Sequence, residues 1–401
     1  MFLYDENDPL ERRFAEIINA TNFLNDLVHD DEITDIKYNG TKLLYKHNKK
    51  GLQVASYQPE EKEIEQFIKQ VTNEVGKEFT NSTPLLNTSI GFLRISAVHK
   101  VHSPFGVSLS IRIARPRLVS SIQEMFKVDT YKEELEQLLS LCMQAELNTI
   151  ISGRTGTGKT ETQKILVGYI QNYKEIIVVE DTNDSHIKRL YPEKNIMSWL
   201  VVRNNKENQK LMTMAEAVRE GVRHNPDWLI ISETRGSEAA DMLDAVKTDH
   251  ALITTLHSKG AKNNPSRLKS MIRTAPSYQQ MNDITVGKEI VEFFPIGIHL
   301  EYELDEETFE IVRFIREIVV FNDYTEFGAE CTYLYKVGND YNINTQAYEP
   351  IEEIGKIPNF LLQQFKNKRL YHLVPKIFIS EEGGKANEKS KGNIQKFAVN
   401  V

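Results

Sequence analysis

The chain of 401 residues has only two cysteines, Cys142 and Cys331, far apart and without CxxC spacing. That excludes a disulfide scaffold and a cysteine-built zinc site, so no zinc is expected. No apolar run approaches the roughly 20 residues that a membrane-spanning helix needs. The opening stretch, MFLYDENDPLERRFAEII, is charged and acidic, unlike a secretory signal. Basic charge is also in short supply: 49 Lys and Arg face 57 Asp and Glu, for a net charge of -8. This counts against a nucleic-acid surface built on phosphate neutralisation, although an acidic chain can still carry a local basic patch. The expectation from these absences is a cytoplasmic protein of two or three domains in a reducing compartment.

The rest of the composition is ordinary for a globular protein, with 40% hydrophobic and 26% charged residues. Phe14, Ile17, Ile18, Phe23 and Leu24 recur at helical spacing. ITDIKYN and KLLYKHN then flank Asn39-Gly40, a type I′ hairpin signal. An amphipathic helix carries Ile64, Phe67, Ile68, Val71 and Val75 on one face. GFLRISAVHK and GVSLSIRIA alternate like strands. Residues 1–116 therefore read as a smaller α+β domain, and 117–128 as a linker opened by Arg115-Pro116-Arg117. From 129 to 375 helices alternate with buried-looking strands (NTIIS, EIIVV, WLIIS, ALITTLH), the pattern of an α/β domain with a mostly parallel sheet. A hairpin pattern closes it, IGIHLEYEL and FEIVRFIREIVV around Asp305. Residues 376–401 are polar and Lys-rich and read as a disordered tail.

One motif carries specific chemistry. Gly153-Arg154-Thr155-Gly156-Thr157-Gly158-Lys159-Thr160 fits GxxxxGK[ST], between a hydrophobic strand and an amphipathic helix. Its glycines permit backbone angles that turn N–H groups inward on phosphate oxygens. The following helix adds the positive end of its dipole. Lys159 is placed for the β- and γ-phosphates of ATP, and the Thr160 hydroxyl for Mg²⁺.

Two further strands end in acids: EIIVV runs into Glu180-Asp181, and WLIIS into Glu233. Ligands of open α/β sheets lie beyond the carboxyl ends of the strands, so these groups are expected in one crevice. Glu233 would hold Mg²⁺ directly or through water, and Glu180 would orient or deprotonate the attacking water. Helix or turn capping is the plainer alternative for either acid. His257 closes the strand ALITTL on the same edge, as a candidate γ-phosphate sensor. His250 lies at the opposite end and reads as a packing residue. Arg219, Arg223 and Arg235 surround Asn225-Pro226-Asp227, and Arg94, Arg112, Arg115 and Arg117 lie in the first domain. Arginine suits bidentate phosphate contact.

The order of these motifs resembles the secretion or traffic ATPases of type II and type IV secretion, type IV pilus and conjugation systems. Walker A is followed by EIIVVED as an Asp box, VRHNPDWLIISETRGSEA as Walker B, and DHALITTLHS as a His box. The resemblance spans most of residues 30–320. It implies a RecA-like P-loop domain behind a PAS-like N-terminal domain, and an ATP- and Mg²⁺-dependent homo-hexameric motor. Such a motor is peripheral to the inner face of the cytoplasmic membrane and works with inner-membrane components of an export, conjugation or pilus machine. By position, it implies ATP binding by Gly153 to Thr160, Glu180 as candidate general base, Glu233 as Walker B acid and His257 facing the γ-phosphate. Arg112 and Arg115 become arginines that reach the nucleotide. The chain departs from the pattern at Ser232 and Asp249, where glycine is common, and at Thr182, where proline is. The lack of a tetracysteine insert moves the resemblance toward the type IV and conjugation branch. A polar loop at 203–210 has no counterpart. A RecA-like nucleic-acid translocase and a nucleotide-gated assembly platform with little hydrolysis remain the alternatives.

Overall fold

The computed structural model describes residues 9–201, 211–305, 308–344 and 346–379. The polar loop at 203–210 and the chain beyond 379 lie outside the described residues. The chain divides into two compact units. Unit 1 comprises Met1–Arg117 with the short segments Thr182–His186 and Glu303–Val312; unit 2 comprises Leu118–Asp181, Ile187–Tyr302 and Arg313–Val401.

Unit 1 begins with two helices, α1 (Pro9–Ala20) and α2 (Asn22–His29). Three strands follow, β1 (Ile33–Asn39), β2 (Leu43–His47) and β3 (Gly51–Val54), then α3 (Glu61–Val75). The last strands are β4 (Leu85–Ile90), β5 (Leu93–Val98) and β6 (Ser108–Ile113). They form one antiparallel sheet in the order β3-β2-β1-β6-β5-β4. A capping box between Glu60 and Glu63 starts α3, and Gly76 in the left-handed region ends it. Its apolar face, Ile64, Phe67, Ile68 and Val71, is buried, with Phe67 edge-on to Phe23.

Arg115 is a structural clamp inside this unit, which corrects its assignment as a nucleotide-reaching arginine. Its side chain is 5% exposed. The guanidinium donates to the carbonyl oxygens of Ile33 at 2.6 Å, Val28 at 2.9 Å and Asp30 at 2.6 Å. These bonds join the end of α2 to the start of β1. Hydrogen bonds to a charged group are worth about 1.5–3 kcal/mol each, and the exposed Asp31 carboxylate adds an ion pair 3.5 Å from Nε.

Unit 2 carries α4 (Lys132–Gln144), β7 (Thr149–Gly153), α5 (Lys159–Gly168) and β8 (Glu175–Glu180). Then come a short α6 (Ile187–Leu190), β9 (Asn195–Leu200), α7 (Met214–Arg223) and β10 (Trp228–Ile231). They are followed by α8 (Glu238–Lys247), β11 (Ala251–Leu256), α9 (Asn264–Ile272) and α10 (Asp283–Phe293). Four strands and a helix complete the unit: β12 (Ile296–Leu304), β13 (Ile311–Thr325), β14 (Gly328–Asn342), β15 (Ala347–Ile354) and α11 (Asn359–Asn367). The sheet order is β15-β14-β13-β12-β7-β11-β10-β8-β9. Every ladder from β12 to β9 is parallel, while β13, β14 and β15 form an antiparallel extension. The hairpin expected around Asp305 thus continues into two more long strands.

β7, β10 and β11 are buried on both faces, which is why they read as predominantly apolar segments. Successive residues still alternate between two cores. Ile151, Val178, Ile230 and Ile253 pack with α4, α5 and α11, and Ile150, Ile177, Leu229 and Leu252 with α7, α8 and α10. Two boundary expectations need amending. Within the expected linker 117–128, Ile122, Met125 and Phe126 are buried in the first of these cores. The expected tail starts too early at 376, because Phe378 is fully buried there.

Lys174 pins the amino-terminal edge of the parallel strands. Its amine lies 2.7 Å from both Glu146 and Asp227, the residues leading into β7 and β10, and Lys368 also pairs with Glu146. Burial would raise both carboxyls, but the lysines outweigh it and hold both below the ordinary carboxylate range. A carboxyl depressed in the folded state stabilises at neutral pH, and that contribution is lost as pH falls through its lowered pKa. Lys174→Met is therefore expected to cost about 1–3 kcal/mol at pH 7. The gap from the wild type should narrow below about pH 4, as urea melts at both pH values would show. Arg115→Met, by removing donors from the Ile33, Val28 and Asp30 carbonyls, should cost at least about 1–3 kcal/mol in the same melts. Weakened nucleotide affinity at undiminished stability would contradict the clamp.

Candidate functional site

The phosphate-loop segment connects β7 to α5. Gly156 and Gly158 have φ of 83° and 98°, angles that side chains rarely adopt. At Gly153 the constraint is proximity: a Cβ there would lie 2.6 Å from the Leu300 carbonyl oxygen and from the Thr157 hydroxyl. Thr157 donates its hydroxyl to the Arg154 carbonyl at 2.9 Å. Lys159 is 9% exposed. Its amine donates to the carbonyls of Gly153 and Arg154 at 3.0 and 3.1 Å and lies 3.4 Å from His257 Nδ1. Thr160 follows in the first turn of α5. Gln163, one turn on, donates to the Ile231 carbonyl at 2.9 Å and ties α5 beneath β10.

The register brings the other motifs to the same edge. β7 pairs with β11 and β12, β11 with β10, and β10 with β8, all in parallel. Their carboxyl ends therefore line up. Glu180, the last residue of β8, is buried at 2% exposure. Glu233 lies just past β10 and His257 just past β11.

These side chains form one connected network. His257 Nδ1 lies 3.0 Å from the Gly153 carbonyl, and its Nε2 lies 3.2 Å from Glu233 Oε1. Since a carbonyl only accepts, Nδ1 donates in that contact. The other Glu233 oxygen accepts from Arg235 Nη2 at 2.7 Å, and Arg235 Nη1 reaches Asp181 at 2.7 Å. Burial would push the Glu233 carboxyl up, but Arg235, His257 and Lys159 hold it below the ordinary range. It is anionic at neutral pH, a state suited to a cation and poorly suited to taking a proton.

Arg235 is the residue that sequence reasoning undervalued, since it had been grouped with Arg219 and Arg223. Those two pair elsewhere, with Asp241 at 2.7 Å and Glu220 at 3.0 Å. The available signal was the two-residue spacing from Glu233. Arg313 was missed outright: its Nε donates to the Gly156 carbonyl at 2.7 Å. In unit 1, Arg112 is half-exposed on β6, directly opposite Arg94 on β5. Asp184 lies 3.8 and 3.9 Å from the two guanidinium groups and offsets their repulsion. Arg115 is absent from both groups. His250 is buried, with Nδ1 3.2 Å from the Thr248 hydroxyl, as expected of a packing residue. Asp249 takes φ of 69°, which accounts for glycine being common there.

The oxygen donors Thr160 and Glu233 are of the kind Mg²⁺ prefers, and the glycine-rich turn with its buried lysine suits a polyphosphate. No group of three or more His, Cys, Asp or Glu side chains among the described residues forms a separate metal cluster.

The chain is similar to several known proteins. An uncharacterized protein of Bacillus anthracis is 30% identical over 344 residues, covering 83% of this chain and 74% of its own length. The type IV secretion system protein PtlH of Bordetella pertussis is 29% identical over 167 residues, covering 41% of this chain and 48% of its own. Among solved structures, the Yersinia pseudotuberculosis ATPase DotB superposes with a TM-score of 0.54 at 17% identity, covering 82% of each chain. That likeness gives the fold expected from the sequence, an N-terminal domain followed by a RecA-like one. Residues 86–291, just over half of the chain, match the family described as type II/IV secretion system protein, and the chain belongs to that family.

Proposed function

We propose that the protein is an ATP-hydrolysing motor that works as a homo-hexamer to power macromolecular export, conjugative transfer or pilus assembly. One observation carries this reading: the chain of contacts from the phosphate loop through His257, Glu233 and Arg235 to Asp181. It gathers four separate sequence motifs at one edge of the sheet. Membership in the family and the type IV secretion system named for PtlH support a task in macromolecular transport.

The residues divide the labour by environment. Gly153, Arg154, Thr155, Gly156, Thr157 and Gly158 cradle the phosphates, with Lys159 adding charge. Thr160 and Glu233 hold Mg²⁺, whose role when bound is to neutralise charge on the phosphates. Glu233 is held anionic by its cationic neighbours, which leaves Glu180 as the better candidate to orient and deprotonate water. His257 contacts both the loop and Glu233, so it can register what the loop holds. Arg112, half-exposed, supplies a phosphate-contacting guanidinium. The chain has no helix among its described residues long and apolar enough to cross a membrane. We place it at the cytoplasmic face of the inner membrane, held there by components of its machine.

Phosphate release by the purified oligomer tests the reading, with oligomeric state measured by mass photometry. Lys159→Ala should lose both nucleotide binding and turnover. Glu180→Gln should keep ATP affinity and lose turnover on the order of 100-fold or more, the scale of a removed general base. A wild-type oligomer that binds ATP and releases no phosphate would favour the assembly-platform alternative. Turnover stimulated several-fold by DNA would favour the translocase.

A further inference from the structure

A phosphate-binding loop works only if its peptide units are turned the right way. In a trans peptide the C=O and the following N–H point in opposite directions. Whatever fixes the Gly156 carbonyl therefore also aims the Thr157 N–H. Gly156 itself offers little local preference, since glycine reaches its φ of 83° and the opposite hand about equally well. The only acceptor for the Thr157 N–H within the loop is the Arg154 carbonyl at 3.4 Å, a long contact. The orienting force comes instead from outside the loop. Arg313 on β13 donates its Nε to the Gly156 carbonyl at 2.7 Å, a short charge-assisted bond. A second brace lies nearby, with the Arg154 guanidinium 5.9 Å from the centre of the Tyr302 ring on β12.

From this geometry we infer that Arg313 is a positioning residue for nucleotide binding, one that sets the Gly156–Thr157 peptide so that its N–H faces the phosphates. It stands outside the four motifs and beyond residue 291, where the family match ends. The inference rests on the ATP-binding reading of the loop and deepens it. Arg313 acts on the loop backbone, so its effect should not depend on the γ-phosphate. A guanidinium touching the γ-phosphate directly would favour ATP alone.

Arg313→Ala tests this by competition titrations of MgADP and MgATP, steady-state turnover and thermal melts on the full chain. The expected result is a roughly tenfold loss of affinity for both nucleotides. KM should rise in parallel, with kcat within about twofold and the melting temperature unchanged. Unchanged affinity in a folded variant would overturn the inference. So would weakened ATP with intact ADP, which marks direct contact, or a joint fall of kcat, affinity and melting temperature, which marks general structural support. If the alanine variant does not fold, Arg313→Gln carries the same comparison. A wild-type protein that binds neither nucleotide removes the ATP-binding reading and this inference with it. Differences confined to the variant bear on Arg313 alone.

Discussion

The candidate site depends on a single chain of charged contacts along one edge of the sheet, from Asp181 through Arg235 and Glu233 to His257 and the Gly153 carbonyl. Its five members come from the ends of four parallel strands, β8, β10, β11 and β7. The parallel register fixes where those ends fall, and the network joins them. Glu233 is central because it touches partners on both sides and is held anionic by them. Asp181 is linked to the phosphate loop through three side chains, Arg235, Glu233 and His257.

The opposite edge of the sheet has a different character. There Lys174 clasps Glu146 and Asp227 directly, with little exposure. That edge secures the strands, and the carboxyl edge presents chemistry. Placing the two tasks at opposite ends of the same strands lets the site carry polar groups while the sheet keeps a rigid base.

Much of this was legible in the residues. β7, β10 and β11 announced themselves because strands buried on both faces are mostly apolar, and a charged or polar residue follows each. β9 was not, since its burial alternates at the edge of the sheet and NIMSWL carries no long apolar run. The phosphate loop was local and therefore readable. The arginines were not, because an arginine is equally at home on a phosphate, a carboxylate or a buried carbonyl. Only the fold shows Arg115 turned inward onto three carbonyls, Arg235 set between two acids, and Arg313 brought to the loop from a strand far along the chain. β14, β15 and α11 had no motif to mark them. Their contribution is packing, as Tyr335, Phe365 and Phe378 in the core show.

The two units are not consecutive in the sequence. Unit 1 claims Thr182–His186 and Glu303–Val312 from within the stretch that otherwise builds unit 2. Ile311 donates its N–H to the Lys49 carbonyl at 2.7 Å, and Glu310 lies 3.8 Å from Lys49, both inside unit 1. During synthesis, then, the β2–β3 turn must wait for partners made much later. At 5–20 residues per second the delay from residue 117 to residue 312 is roughly 10–40 s. Over that interval the amino-terminal unit is an unfinished body, and it is completed only when most of its neighbour has been made.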